Sequence, residues 1–385
     1  MKNFEFYNPV KVIFGKDNYS KLPELLSPYN KIMLAFGKGS IKQNGIYDKI
    51  KSNLGNKAYV EFWGIEPNPT YETLIKAVEI IKNENVDFIL AAGGGSVIDG
   101  VKFICAAVKY KDGGAWDIMA KSIKIKDALK FGTIFTLPAT GSEMNSNLVI
   151  THNGIGEKLA YSSPLLFPTF SILDPEAMYS LPDRQISNGV IDAFVHITEQ
   201  YITYPVNAAV QDAWAFSLLK VLIDIGPKVL KDRTNYDENA NLMWAATMAL
   251  NGLLSAGVPT DWSTHYIGHE LTAMYGLDHA VTLAIVLPGV LRVMKDYKKD
   301  KLLHFAQNVW NLNPEYPDEA IDKAIILTEE FFNSLGVKTK LSDYGIGEYG
   351  IDQICIRLDR KNYTRLGENK NISPDIVKQI LLTVI

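Results

Sequence analysis

Along the first half of the chain, short apolar runs alternate with stretches in which apolar residues recur every three or four positions. The runs are KIMLAF (31–36), AYVEFW (58–63), VDFILAA (86–92) and TIFTL (133–137), bounded by Gly, Pro, Asn or Lys. Their length and their aromatic and β-branched content predict strands. Between them, YETLIKAVEIIKNEN (71–85) sets Leu74, Ala77, Val78 and Ile81 on one side of a helix. Repeated β-α-β units of this kind predict a parallel sheet covered on both faces. After LDPEAMYSLP (173–182) the period becomes helical almost throughout, as in NAAVQDAWAFSLLKVLIDIG (207–226) and NLMWAATMALNGLLSAG (241–257). Each of these two is expected to close at its Gly, with a Pro soon after. The expected organisation is therefore an α/β domain over residues 1–182 and an all-helical domain over 183–385. The Pro-rich IEPNPT (65–70) reads as a loop at the rim of the sheet.

Composition narrows the class. With 385 residues and 47% hydrophobic content, the chain can bury two separate cores. A formal net charge of −4 and scattered Lys and Arg residues argue against a nucleic-acid partner. Two cysteines, Cys105 and Cys355, make neither a disulfide framework nor a thiolate metal cluster, which fits a reducing compartment. The N-terminal MKNFEFYNPVKVIFG is interrupted by Glu5, Asn8 and Pro9 where a signal peptide needs an apolar core, and no run is long enough to span a bilayer. A soluble, cytoplasmic protein without a membrane partner is expected. The β-like FEFYNPVKVIF (4–14) offers pairing with a second copy of itself, and a homodimer is the expected assembly.

Histidine carries the first candidate chemistry. There are six, and His265, His269 and His279 fall within fifteen positions. His265 and His269 stand four apart in DWSTHYIGHELTA, which stacks both imidazoles on one helix face. NGVIDAFVHITEQ sets Asp192 and His196 at the same spacing. A single His on an amphipathic helix is more often a satisfied core or surface residue. Two stacked pairs supply instead a carboxylate and imidazoles suited to Fe²⁺ or Zn²⁺, with room for a substrate oxygen. Spacing alone leaves open whether His269 or His279 completes the set. His152 and His304 lack such an arrangement and read as structural, while Glu199, close to the Asp192 face, reads as a solvated or supporting carboxylate.

Glycine carries the second. VDFILAAGGGSVIDGVKFICAAV reads as a buried strand, then Gly93, Gly94, Gly95 and Ser96, then a helix from about Val97. Such a turn brings backbone N–H groups and the positive end of a helix dipole to a pyrophosphate. It matches neither GxGxxG nor a P-loop, and a plain tight turn is the competing reading. Two further strand exits, AFGKGS (35–40) and TLPATGSEMNSN (136–147), are rich in glycine, hydroxyls and amides. Loops at the carboxyl ends of parallel strands are where a dinucleotide binds.

GGGSVIDGVK, TLPATGSE, LDP, GVIDAFVHITEQY, THYIGHELTAMYGLDHAVTLAIVLP and LSDYGIG together resemble the iron-containing alcohol dehydrogenase family, in its butanol dehydrogenase and NADPH-dependent aldehyde reductase branch. The likeness runs from FGK at 14–16 to GENKNIS near the C-terminus. It implies a dehydroquinate synthase-like architecture: a dinucleotide-binding domain of modified Rossmann topology, an all-α domain and a cleft between them. By position it implies Asp192, His196, His265 and His279 as metal ligands, with His269 beside the substrate as a proton relay or pocket wall. Gly94, Gly95 and Ser96 would hold the pyrophosphate, and Asp99 would lie near the nicotinamide. Thr136, Thr140, Ser142, Asn145 and Lys158 would line the rest of the groove. Gly37, Lys38, Gly39 and Ser40 would bracket the adenosine ribose.

That last loop holds no acid to repel a 2'-phosphate, so NADP(H) is favoured over NAD(H). Lys38 departs from the unbroken glycine run of the aldehyde reductases, and Ala177 stands where some relatives place a Tyr. The implied reaction is hydride transfer between NADP(H) and a short-chain aldehyde or alcohol such as butanal or butanol. An NAD-linked, glycerol-type polyol dehydrogenase is the nearest alternative, and a non-catalytic nucleotide- and metal-binding protein the more distant one. Residues 186–204 and 259–290 contain no Lys or Arg, whereas a phosphorylated substrate would want cations there.

Overall fold

Eight strands form: β1 (Lys11–Phe14), β2 (Lys31–Phe36), β3 (Ala58–Phe62), β4 (Phe88–Gly93), β5 (Lys130–Phe135), β6 (Asn147–His152), β7 (Glu157–Ser162) and β8 (Phe170–Leu173). The four expected strands are β2, β3, β4 and β5. In the computed structural model, which describes all residues Met1–Ile385, six strands make one parallel sheet in the order β1-β8-β5-β4-β2-β3. The chain steps outward from β2 to β3 and then returns to the other side of β2 for β4, so the strand order reverses between β2 and β4. Ligands bind outside the carboxyl ends of strands at such a switch point. The central strands are apolar without alternation because both sheet faces are covered. Leu34, Phe36, Phe88, Leu90, Ile134 and Ile172 join Leu22, Ile46 and Ile50 in one core, and the helix Gly95–Lys109 packs against β2, β4 and β5.

The remaining two strands, β6 and β7, are an antiparallel hairpin that hydrophobic patterning had not suggested. Only Lys11–Phe14 of the β-like N-terminal segment becomes a strand, and it pairs in parallel with β8 of its own chain.

The structure has two compact units. One comprises Tyr7–Leu181 with Arg233–Thr247; the other comprises Met1–Phe6, Pro182–Asp232 and Met248–Ile385. A single cut after residue 182 separates most of the same residues, but most of the helix Tyr236–Ala249 groups with the α/β unit. The second unit is helical apart from turns and one isolated bridge between Leu366 and Ile372. At its centre the helix Asp183–Tyr201 is buried at every position from Gly189 to Tyr201, packed by the helices Ala209–Lys231 and His279–Val293. No helix is long and apolar enough to cross a membrane.

Two helix ends differ from expectation. The helix Ala209–Lys231 continues through Gly226 and Pro227. A proline clashes with the Cβ of the residue before it, and Gly226 has none; a Cβ there would also stand 3.0 Å from Val190. The buried face, with Ile225 before the proline and Val229 after it, outweighs the hydrogen bond that Pro227 cannot make. The helix expected over 241–257 stops at Ala249 instead. There the Asn251 side chain accepts from the Leu253 N–H at 3.0 Å and Gly252 takes φ +92°, which turns the chain.

Candidate metal centre and dinucleotide groove

The Asp183 helix presents Asp192 and His196 one turn apart, and each is almost fully buried. His265 comes from the helix Ser263–Tyr275, and His279 is the first residue of the helix His279–Val293. Three imidazole Nε2 atoms surround one oxygen: from Asp192 Oδ1, His196 lies at 3.8 Å, His265 at 4.0 Å and His279 at 3.7 Å. These separations exceed hydrogen-bond length. Neighbouring ligand atoms around a tetrahedral ion bound at about 2.1 Å lie about 3.4 Å apart, so the set is spaced for a cation at its centre. The donor atoms of Asp192, His265 and His279 all lie within 4.8 Å of one another. The His196 ring stacks on His265 with centroids 4.7 Å apart, at the edge of that trio. A borderline divalent ion fits this N₃O donor set.

Neighbours fix the protonation and aim of these rings. Glu199, buried on the Asp183 helix, pairs with His265 Nδ1 and accepts from the Thr264 N–H at 2.7 Å. With Nδ1 facing a carboxylate, the lone pair of His265 falls on Nε2, toward Asp192. Burial pushes the His196 pKa down to about 4, which keeps that imidazole neutral and able to ligate. Burial, with Asp261 adding to it, raises the Glu199 pKa, while the Thr264 and His265 N–H groups and Lys298 favour its ionised form. His279 is aimed by its predecessor. Asp278 is gripped by the Arg184 guanidinium and accepts from Asn188 Nδ2 at 2.8 Å. Arg184, Asn188, Asp192 and His196 follow one another at four-residue spacing on one helix. The Arg184 hydrogen bond holds Asp278 below its ordinary pKa.

His269 stands next to the set. Its ring lies 5.3 Å from His279 and 6.4 Å from His265, centroid to centroid. Trp262, in the left-handed region at φ +64°, turns its ring edge toward His265 at 5.3 Å and His196 at 6.1 Å. The two other histidines are structural: His304 Nδ1 meets Tyr201 Oη at 2.8 Å, and His152 stacks on Tyr71 at 4.6 Å.

In the α/β unit the three glycine- and hydroxyl-rich loops leave the adjacent strands β2, β4 and β5. Gly94 precedes the Gly95–Lys109 helix, whose N-terminus no side chain caps. A Cβ on Gly95 would meet Thr140 Oγ1 at 2.4 Å, so the cradle exists only because a hydrogen stands there. Ser96 follows in the first turn. Thr136 N–H donates to Gly93 O at 3.1 Å, joining two of the loops. Thr140 Oγ1 accepts from Ser142 N–H at 3.2 Å, and Asn145 Nδ2 donates to Thr140 O at 3.2 Å. Lys158 Nζ donates to Asn68 Oδ1 at 2.9 Å. Gly39 has φ +120°, open only to glycine, while Lys38 and Ser40 are exposed. The uncapped helix end and the empty glycine cradle fit a pyrophosphate.

Asp99, expected near the nicotinamide, is held by two partners. Its Oδ1 accepts from Ser142 Oγ at 2.6 Å and its Oδ2 from the Val149 N–H at 3.0 Å. The centre of this cluster is Lys102, which patterning missed. Fully buried, it donates to Ser142 Oγ (2.6 Å), Asn145 Oδ1 (3.1 Å) and Asn147 O (2.7 Å). Burial lowers its pKa to about 8, against the pull of Asp99 and Glu143. The available signal was a lone cation inside the apolar GVKFICAAV.

The model of the iron-containing alcohol dehydrogenase family matches residues 9–175, and that of the family's C-terminal part matches residues 186–383. The chain belongs to the iron-containing alcohol dehydrogenase family. It is 48% identical to the NADPH-dependent aldehyde reductase YqhD of Escherichia coli, over 99% of both chains. It is 42% identical to a probable NADH-dependent butanol dehydrogenase of Bacillus subtilis, again over 99% of both. The solved structure of Escherichia coli YqhD covers all of this chain, and 99% of its own, at a TM-score of 0.97 and 47% identity. That of the NADH-dependent butanol dehydrogenase A of Thermotoga maritima does so, over 99% of its own chain, at 0.94 and 32%.

Proposed function

We propose that the protein is a metal-dependent oxidoreductase that reduces short-chain aldehydes such as butanal with NADPH, and runs the reverse reaction on the alcohol. The observation that carries this reading is the convergence of the His196, His265 and His279 Nε2 atoms on Asp192 Oδ1 at 3.7–4.0 Å. Those four residues would hold the ion, and Gly94, Gly95 and Ser96 the pyrophosphate. When bound, a divalent ion supplies Lewis-acid polarisation of the carbonyl and the dinucleotide supplies the hydride.

The chain's own residues do the rest. Burial of Asp192, His196 and His265 excludes water from the ligand set, and Glu199 holds the His265 tautomer. His269, beside His279, delivers the proton that the product oxygen needs, since an imidazole can both donate and accept one. Thr136, Thr140, Ser142, Asn145 and Lys158 line the groove, with Asp99 and Lys102 fixing the loop that carries Ser142 and Asn145. NADPH is favoured because residues 37–40 offer a cation and a hydroxyl and no acid, and because the 48% identical relative is NADPH-dependent. We infer a homodimer built on the sheet edge formed by β1, where Tyr7 and Phe14 are exposed. The free thiols of Cys105 and Cys355 fit the cytoplasm.

The test is spectrophotometric. Protein freed of metal by a chelator, then supplied with Fe²⁺ or Zn²⁺, should oxidise NADPH in the presence of butanal and remain inactive without the ion. Absence of metal-dependent turnover with any short aldehyde would leave a nucleotide-binding protein without this reaction. His269→Ala should keep its metal and lose about tenfold or more in kcat; loss of metal in that variant would move His269 into the ligand set.

A further inference from the structure

GENKNIS, at the far end of the family resemblance, contributes no residue to the ligand set, yet its Glu368 side chain is 2% exposed. It faces Lys298, whose side chain is 1% exposed. The ammonium donates to Glu368 Oε1 and Oε2 at 2.7 and 2.8 Å, to Ile202 O at 2.9 Å, and pairs with Asp261 Oδ2 at 2.9 Å. Two of these contacts, those to Ile202 and Asp261, lead to ligand-bearing elements. Ile202 is the residue that ends the Asp183 helix, which carries Asp192 and His196. Asp261 opens the turn into the Ser263 helix, which carries His265. Lys298 itself follows the His279 helix and donates its N–H to Met294 O at 3.1 Å.

The turn is pinned residue by residue. Asp261 N–H donates to Glu199 O at 2.9 Å, Ser263 N–H to Asp261 Oδ1 at 2.9 Å, and Thr264 N–H to Glu199 Oε1 at 2.7 Å. Between them Trp262 sits at φ +64°, a conformation that a bulky side chain keeps only where its surroundings over-determine it. Removing an ammonium from water costs more than packing an apolar residue in the same volume, so a buried ion cluster is a poor stability device. It is a good register device.

Resting on the metal reading above, we propose that Lys298 is a positioning residue for the metal centre: with Asp261 and Glu368 it locks the 261–264 turn to the end of the Asp183 helix, and so sets where His265 stands relative to Asp192. The test measures Co²⁺ affinity and the Co²⁺ ligand-field spectrum of chelator-treated, full-length protein. Lys298→Met should weaken Co²⁺ binding about 10–100-fold, the usual effect of losing a residue that orients a ligand, and should change the spectrum of the loaded site. NADPH affinity, read by cofactor fluorescence, should stay at the wild-type value, and wild-type helix content by far-UV circular dichroism shows that the variant is folded. Leu302→Ala, one turn further and fully buried, is the stability control. It should lower the melting temperature while leaving Co²⁺ affinity and spectrum unchanged. Should Lys298→Met fail to fold, Asp261→Asn, which keeps the ammonium, is expected to weaken Co²⁺ binding about tenfold.

Wild-type affinity and spectrum in both Lys298→Met and Asp261→Asn would overturn the inference and leave the metal reading standing. Equal weakening by Leu302→Ala would reduce the cluster to ordinary stability and overturn it too. A wild-type protein that takes up no Co²⁺ would bring down the metal reading and this inference with it.

Discussion

The two units build their sites by opposite means. In the helical unit the site is made of four side chains, of which His265 is aimed by Glu199 and the hydrogen bonds of the 261–264 turn and His279 by Asp278. In the α/β unit the central feature is a missing side chain: the space over Gly95 is bounded by Thr140, and backbone N–H groups do the presenting. A site of side chains fails when an atom is removed. A site of backbone fails when an atom is added.

The largest effect should come from the first kind. His265→Ala removes one Nε2 donor and leaves Glu199 buried opposite a void. Metal content should fall below about a tenth of the wild-type value and kcat/KM by at least about 10³-fold, the scale of losing a charge-stabilising group in a closed site. Cofactor affinity should not change, and metal analysis beside cofactor titration separates the two. Retention of full metal and activity would remove His265 from the centre.

The complementary break is Gly95→Ala. Its methyl would press on Thr140 Oγ1 and Cγ2 at 2.4 and 2.7 Å. Overpacking of this order costs about 1–3 kcal/mol, which, if relieved by moving the Thr140 loop, weakens NADPH binding roughly 10–100-fold. Metal content should be untouched. Unchanged NADPH affinity would mean that the cradle yields without cost, and the comparison between the units would lose its second half.

The contrast is not complete, because the α/β unit has one buried ionic cluster of its own under the third loop. Glu143 is fully buried, with Thr247 Oγ1 donating to Oε1 at 2.5 Å and no partner on Oε2. Burial raises its pKa to about 7. Between about pH 4.5 and 7 the unfolded chain ionises this group while the folded chain keeps it protonated, so stability falls as pH rises through that window and the penalty is complete above it. Glu143→Gln cannot ionise and should lack this slope. Relative to wild type, the variant should gain roughly 2 kcal/mol on going from pH 5 to pH 8, read as the change in the difference between their urea or thermal midpoints. A difference that is the same at both pH values would show that Glu143 titrates as an exposed carboxylate does.

Much of this was legible in the chain. The short apolar runs and the period-3.6 segments pointed to β2 to β5 and to the helical second half, because both signals arise from burial of the whole element or of one face. The stacked pairs Asp192/His196 and His265/His269 were visible because a helix turns spacing into geometry. What could not be read was anything fixed by tertiary contact. Whether His279 or His269 lies nearer Asp192 depends on Asp278 reaching Arg184 and Asn188, some ninety residues away in sequence. Lys298 looks like a surface cation, and Lys102 like an unexplained one in an apolar run, until their acceptors arrive from elsewhere in the chain. Gly226-Pro227 looks like a stop signal until the packing on Val190 is known.

The smallest expected effect concerns the loop at the end of β2, where sequence suggested and structure leaves room for a choice of cofactor. Lys42 Nζ lies over the Trp63 ring, 4.2 Å from its centroid, so that cation is already engaged. Lys38 is exposed between Gly37 and Gly39, and no acidic residue shares the 37–40 turn. If Lys38 meets the 2'-phosphate, Lys38→Ala should lower the ratio of NADPH to NADH affinity about 3–10-fold, and the loss should shrink as salt screens an exposed charge. Direct binding titrations at low and high salt read this without turnover. An unchanged ratio at low salt would leave 2'-phosphate recognition to the Ser40 hydroxyl and the backbone of the turn. The α/β site would then choose its cofactor, as it would hold the pyrophosphate, chiefly by what its glycines leave out.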